Sequence, residues 1–582
     1  MDDHQGKATS GATRQHAQLS QDLGTLIKEI GLGGTTQGRA SDAAPRCDVL
    51  IVGSGYGGAV SAATLAGTIR TDGKPATVWL LERGQEYLPG QFPTSLAELP
   101  GHVRFSTPRS AKARGVRTGL FDVRLSHDVS AIVANGLGGG SLINAGVMAW
   151  PSTEVGQDPA WPQAIQAAWS TLSALSDDVQ ITLGSKLSKD RPNTVGSAQT
   201  APMKFRALAQ MAGQSPFAPA ALTVALQAGT RSSDGIELDP CIGCGDCATG
   251  CNHNAKISLD TNLLARAQRL GVRLFTGATV LNIAPHPSGQ GWLVEVVHTA
   301  TALRERQTSS LFIHTRQLIL AAGTFGTTEI LMRSQAHNLP LSPMLGQGFS
   351  ANGDLVGMAY GQRLPVQAIA REDLPAKQRQ VGPTITGMID LRAPGLAPSP
   401  HVIQDLAVPA PMHRLVEELF TTAHALHGLS TSDTTSHSPL DQFTDPMAVD
   451  KQMLDQSSLL AVIGHDDASG RLEWVDDTTT ALVSRGDGAI TVKWPALKAD
   501  ARLDRQMSDL QQRCNDSGAG GRLLPNPAWR PLPSNSEFLV GHARGSLLTA
   551  HPLGGCRMAD HFKDGVVNHL GQVWRAPGQL HE

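Results

Sequence analysis

The hydrophobic pattern is densest at Val49 to Val52, an unbroken apolar run that meets a glycine turn, Gly53-Ser-Gly55, and passes into the small-residue stretch Ala59 to Gly67. A short continuous apolar run reads as a strand covered on both faces, and the stretch after the turn as a helix. A second run, Thr77 to Leu81, ends at Glu82. From Val272 onward the period changes. Val272 to Ile283, Gly291 to His298 and Leu311 to Thr315 read as strands, the middle one alternating apolar with polar. Together they predict a small meander that returns to the parallel sheet through the nearly continuous apolar run Gln317 to Gly323. Pro202 to Met211 and Thr327 to Ser334 predict helices. Ser458 to Ile463 and Ala489 to Trp494 predict strands of an antiparallel sheet among proline-rich loops. Residues 1–45 are mostly polar and predict a mobile extension, with Leu23 to Ile30 as its single amphipathic helix.

Composition narrows the class. A chain of 582 residues exceeds one simple core, so two domains, interleaved in sequence, are expected. Charged residues are 17% and the net charge is -3, which gives no electrostatic basis for binding nucleic acid or an anionic membrane. No secretory signal or twin arginine opens the chain, and the apolar run Val49 to Gly67 is punctuated by glycines at motif positions, so no transmembrane segment is expected. Four of the seven cysteines are crowded together, a pattern that implies no disulfide framework and fits a reducing cytoplasm.

The chemistry concentrates in four stretches. Gly53, Gly55 and Gly58 hold the G-x-G-x-x-G spacing between strand and helix, with an acid, Glu82, ending the next strand. That context predicts a dinucleotide-type pyrophosphate at the helix N-terminus and a ribose on the carboxylate. Asn135-Gly-Leu-Gly-Gly-Gly-Ser-Leu-Ile-Asn144 is a second glycine cluster, which suggests a backbone passing close to something flat or bulky. Cys241, Cys244, Cys247 and Cys251 have the C-x2-C-x2-C-x3-C spacing of bacterial ferredoxin loops. Three occupancies fit it: a 4Fe-4S cluster, a structural zinc, or unmetallated thiols. Asn252 stands where a proline ordinarily follows, and the fourth thiolate is Cys251 folded back, Cys514 or Cys556. Last comes His551-Pro-Leu-Gly-Gly.

Taken together, these stretches resemble the glucose/methanol/choline (GMC) oxidoreductases and, within them, the cholesterol-oxidase-like branch. The resemblance rests on Gly-Ser-Gly-Tyr-Gly-Gly with its terminal glutamate, on Gly-Gly-Gly-Ser-x-x-Asn, on Ala322-Gly323-Thr324 with the helix after it, and on His-Pro-Leu-Gly-Gly. It implies an α/β fold: a Rossmann-like FAD-binding domain interleaved with an α+β substrate domain built on an antiparallel sheet. The FAD-binding parts would be 46–150, 236–350 with the cysteine loop, and 541–582; the substrate-side parts would be 151–235 and 351–540. Tyr56 and Gly57 would join the fingerprint glycines at the pyrophosphate, Glu82 would hold the ribose, and Val280 would pack on adenine. Gly138, Gly139, Gly140, Ser141 and Asn144 would lie against the isoalloxazine, with Ala322 and Gly323 in the second flavin segment.

The activity implied is oxidation of an alcohol, sterol-like or otherwise bulky and apolar, to a carbonyl, with electrons passing to oxygen or a redox partner. Flavin accepts hydride, but an alcohol gives hydride readily only as its hydroxyl proton leaves, and His551 matches the family's base. A non-redox lyase or decarboxylase of the same family, an electron-transfer flavoprotein and a flavin-binding remnant are the alternatives. Family members continue beyond the Gly571 to Trp574 strand, so two expectations stand: a truncated chain, or a second polypeptide that completes the C-terminus as a further partner.

Overall fold

The computed structural model describes residues 15–30, 46–108, 110–196, 201–307, 310–397, 399–429, 451–475, 489–499, 501–526, 545–575 and 579–581. Its centre is a seven-stranded sheet. The apolar run forms β2 (Arg46–Val52), and β3 (Val78–Leu81) lies parallel beside it. Leu50 and Val52 point into one core, Val49 and Ile51 into the other, so both faces of β2 are dry from Val49 to Val52 and the sequence there must be apolar at every position. The helix after the turn, α2 (Tyr56–Leu65), covers one face with Ala59 and Ala62. The Gly323–Ala336 helix covers the other with Ile330 and Leu331.

The expected meander is present, with two changes of register. Val272 to Ile283 is two strands, Arg273–Thr276 and Ala278–Pro285, because Gly277 turns the chain and hydrogen-bonds Gly84 O at 2.9 Å. The first pairs parallel with β3; the second pairs antiparallel with Trp292–His298. Conversely, Leu311–Leu320 is one strand, crossing from the Trp292–His298 strand to β2. The polar Thr315-Arg316-Gln317 read as a break is the stretch where this strand changes partners.

The expectation of a mobile extension over 1–45 is corrected for residues 15–30. A two-residue strand, β1 (Gln21–Asp22), adds to the sheet edge beside Arg273–Thr276, and α1 (Leu23–Ile30) buries Leu23 and Leu26 in the main core. Glu86 fixes the approach by accepting from the Leu19 and Ser20 amides at 2.7 and 2.8 Å. Apolar side chains at i and i+3 suffice to dock a helix this short once a sheet edge receives it.

A five-stranded sheet that the sequence reading did not anticipate connects the β3 side to the site. It contains Val103–Thr107, Ser110–Gly115, Phe121–Arg124, Val129–Ala134 and, arriving from the far end of the chain, Leu547–Thr549. Asp122 sits at its centre, wholly buried, with Arg83, Arg104 and Arg124 around it at 2.7 to 3.3 Å. Arg124 also reaches Glu329 on the Gly323–Ala336 helix at 3.2 Å.

The antiparallel sheet has six strands, running in order through Phe217–Pro219, Gly387–Asp390, His401–Leu406, Ser458–Gly464, Leu355–Gln362 and Gly520–Pro525. The other expected strand, Ala489–Lys493, belongs instead to a separate three-stranded sheet with Gly470–Val475 and Gln347–Phe349. Alternation reveals a half-buried strand but not which sheet receives it.

Candidate active site

The glycine fingerprint is built by close backbone approach. Gly53, with φ +98, lies so near the end of Leu311–Leu320 that a Cβ would stand 2.4 Å from Ala321 O. A Cβ on Gly58 would stand 1.9 Å from Gly53 O. These two glycines are required by the protein's own packing. Gly55 and Gly140 are different: a Cβ on Gly55 would meet only Gly139 Cα, at 4.0 Å, and one on Gly140 would meet nothing within 4 Å. The protein leaves space beside both, at the mouth of α2 where the backbone amides of a helix start favour an anion. The cradle therefore fits the pyrophosphate and ring of a flavin dinucleotide.

The two glycine clusters, far apart in sequence, are joined by Ser54, which motif reasoning passed over as a variable position. Its hydroxyl donates to Glu82 Oε2 at 2.6 Å and accepts from Gly138 N at 3.0 Å. Glu82 is buried, its Oε1 accepting from Gly84 N at 2.8 Å. Tyr56 and Asn144 meet at 2.9 Å, Asn144 Nδ2 donating to the phenolic oxygen. Gly139 packs against Gly55, and Gly57 lies over Ala321. Ser141 turns inward: its hydroxyl donates to Gly138 O at 2.7 Å and accepts from Leu259 N at 3.1 Å, which shapes the loop from within. Val280 is buried in the main core. Ala322 precedes the Gly323–Ala336 helix, and Gly323, with φ +73, begins it.

His551 arrives on the loop after Leu547–Thr549, the strand that pairs with the start of Val129–Ala134; the latter leads at its other end to the second glycine cluster. Thr324 Oγ1 donates to Pro552 O at 2.8 Å, tying the histidine loop to the Ala322-Gly323 segment. The imidazole Nδ1 faces Asp354, 2.9 and 3.0 Å from its two carboxylate oxygens. Asp354 is itself held, accepting from Thr549 Oγ1 at 2.7 Å and Ala550 N at 3.2 Å. Burial alone would lower the His551 pKa, but the hydrogen bond and negative charge of Asp354 outweigh it and hold the imidazole above its usual value. The side chain is half exposed, so the edge away from Asp354 is open to a ligand. Nothing in the sequence around Asp354 marks it; it meets His551 across 197 positions.

The four cysteines of the Cys241–Cys251 loop line one cavity, together with Lys256. Cys251 thus folds back to the other three, whereas Cys514 packs in the antiparallel-sheet core and Cys556 against the main core. No disulfide joins any of the seven cysteines. Burial pushes the Cys241 thiol up to about 12 and raises Cys244 and Cys251 as well. Asn252 replaces a loop-ending proline for a visible reason: its side-chain oxygen accepts from the Gly90 and Phe92 amides at 2.9 and 3.0 Å. Among the described residues no three His, Cys, Asp or Glu side chains are arranged to hold a single metal ion, and no helix is long and apolar enough to cross a membrane.

The mostly parallel sheet and its glycine cradle are those of an α/β dinucleotide-binding protein. The GMC oxidoreductase profile matches residues 47–352, more than half of the chain, and the chain belongs to that family. It is 24% identical to the cholesterol oxidase of Mycobacterium tuberculosis (strain ATCC 25618 / H37Rv) over 586 residues, covering 92% of this chain and 86% of that protein. A cholesterol oxidase of Acinetobacter baumannii is 25% identical over 336 residues, covering 53% and 54% of the two chains. These relatives mark the cholesterol-oxidase-like branch. The pyridoxine 4-oxidase of Mesorbium loti shares the fold, with a TM-score of 0.52, 18% identity and coverage of 90% of this chain and 92% of that one. The protein is accordingly an FAD-dependent oxidoreductase acting on CH–OH donors.

Proposed function

We propose that the protein oxidises a bulky apolar alcohol, sterol-like in size, with His551 as the base that removes the hydroxyl proton. The observation that carries this reading is the Asp354–His551 pair: a carboxylate on Nδ1 fixes the ring and leaves Nε2 as the nitrogen available to the substrate oxygen. Bound FAD supplies the hydride acceptor. His551 would take the proton at Nε2, and Asp354 would stabilise the imidazolium that results. Ser54, Glu82 and Gly138 would hold the shape of the dinucleotide cradle, with Tyr56 and Asn144 at its rim. Leu553, two residues after the base and exposed, offers an apolar contact to the substrate. The cholesterol oxidases among its relatives support a sterol-like substrate. The seven-stranded and antiparallel sheets support an FAD-binding domain, 46–150, 236–350 and 541–582, interleaved with a substrate domain, 151–235 and 351–540.

Anaerobic mixing of the FAD-loaded protein with a panel of sterols, long-chain alcohols and short alcohols tests the reading. Bleaching of the flavin with one carbonyl formed per flavin is the expected result with the apolar members. An unbleached flavin with no carbonyl formed from any alcohol would refute the proposal.

A further inference from the structure

The cysteine loop has no part in the alcohol chemistry, yet its construction is that of a site. Backbone amides are aimed at its sulfurs: Gly243 N donates to Cys241 Sγ and Ala255 N to Cys251 Sγ, both at 3.4 Å. Amides placed this way stabilise sulfur that carries negative charge. The loop is clamped from outside as well. Gly382 N donates to Gly243 O at 2.9 Å, Arg379 pairs with Asp246 at 2.7 Å, and Ala410 N donates to Asp246 at 2.8 Å.

Lys256 is the second, independent observation. It is 5% exposed, and its ammonium donates to three neutral carbonyls: Cys247 O at 2.9 Å, Leu142 O at 2.9 Å and Asn144 O at 2.6 Å. No carboxylate among the described residues is in ion-pair contact with it. A buried ammonium with no ion pair is costly; the Asp260 carboxylate acts on this one only from beyond contact distance, and it stands in the wall of the four-cysteine cavity. A contacting negative charge is what a set of metal-bound thiolates would bring.

We propose that Cys241, Cys244, Cys247 and Cys251 are the four ligands of an iron–sulfur cluster, with Lys256 as its buried counter-charge and its link to the 138–144 glycine loop. The C-x2-C-x2-C-x3-C spacing favours a cluster over a lone zinc. The four cysteines share the walls of one cavity. The assignment is independent of His551 and of the alcohol substrate.

The test is chemical analysis of the full-length protein, expressed with added iron and purified without oxygen. Iron and acid-labile sulfide are expected at about four each per chain. Cys241→Ser, Cys244→Ser, Cys247→Ser and Cys251→Ser should each lose them, while Cys514→Ser and Cys556→Ser keep them. Lys256→Met should lose iron to a chelator at least about tenfold faster than the parent. Circular dichroism and FAD content, measured on each variant, separate loss of the cluster from loss of the fold. Zinc without sulfide would overturn the proposal, as would absence of metal after both anaerobic purification and reconstitution with ferrous iron and sulfide. Equal loss from the Cys514 or Cys556 variant would overturn the ligand assignment.

Discussion

Asp354→Asn changes one charge and almost no volume, and its effects on His551 can be worked out in sign and size. The carboxylate lies 2.9 and 3.0 Å from Nδ1. A unit pair at about 4 Å amounts to about 4 kcal/mol at an effective dielectric constant of 20 and about 1 kcal/mol in water. The imidazole is half exposed, so screening places the pair near the lower figure, equivalent to about one pH unit. In the parent, flavin reduction should rise with pH as His551 loses its proton, with a midpoint above 6.5, because Asp354 holds that pKa up. With the charge removed, burial acts unopposed, and the midpoint should fall below that of the parent. The plateau should fall too. The carbonyl oxygen of the substituted side chain would keep the bonds from Thr549 and Ala550, which turns the new amide nitrogen toward Nδ1 and leaves the proton on Nε2, the nitrogen that must accept one. General-base catalysis contributes about 10²- to 10⁴-fold, so a loss of roughly 100-fold or more in the plateau is expected. Stopped-flow anaerobic reduction between pH 5 and 9, on protein with full FAD content, measures both quantities. An unchanged midpoint and plateau would refute the role assigned to the pair.

The fingerprint glycines should separate by function: Gly55→Val should abolish FAD binding, read from visible absorbance, while the apoprotein still folds. Gly58→Val should fail to fold, because its Cβ would stand 1.9 Å from Gly53 O. Asp122→Ala should destabilise the protein by about 3–5 kcal/mol in denaturant titration, since it removes the carboxylate shared by the buried Arg104 and Arg124. Arg124, Arg104 and Arg83 outweigh the cost of burial and hold the Asp122 carboxyl well below the usual carboxylate range. Its contribution to stability should therefore be intact above about pH 4 and be lost only as pH falls below that. Leu26→Ala should cost about 2–5 kcal/mol, as a core substitution does; no effect on the thermal midpoint would return α1 to the status of a loose extension.

The sequence by itself determined what local rules can encode. The dry strand β2, the turn at Gly53, the helix after it and the acid after β3 are contiguous, and each obeys a short-range constraint of sterics or burial. The family resemblance rests on such stretches, as does the ferredoxin-like spacing of the cysteines. What escaped the sequence depends on meetings between distant residues. Ser54 sits at an x of the motif, and its task exists only because Gly138 comes to rest above it. Asp354 finds His551 across 197 positions. Nothing in the sequence names the partners of Lys256, which are three carbonyls from two loops that close over it. The charge cluster at Asp122 looks like scattered solvated residues until a five-stranded sheet buries it. Polar residues carry no periodicity that announces a partner. Their partners are set by which strands pair, and strand pairing is a global outcome of burying both faces of the sheets at once. The tertiary structure alone decided which polar side chains meet at the site.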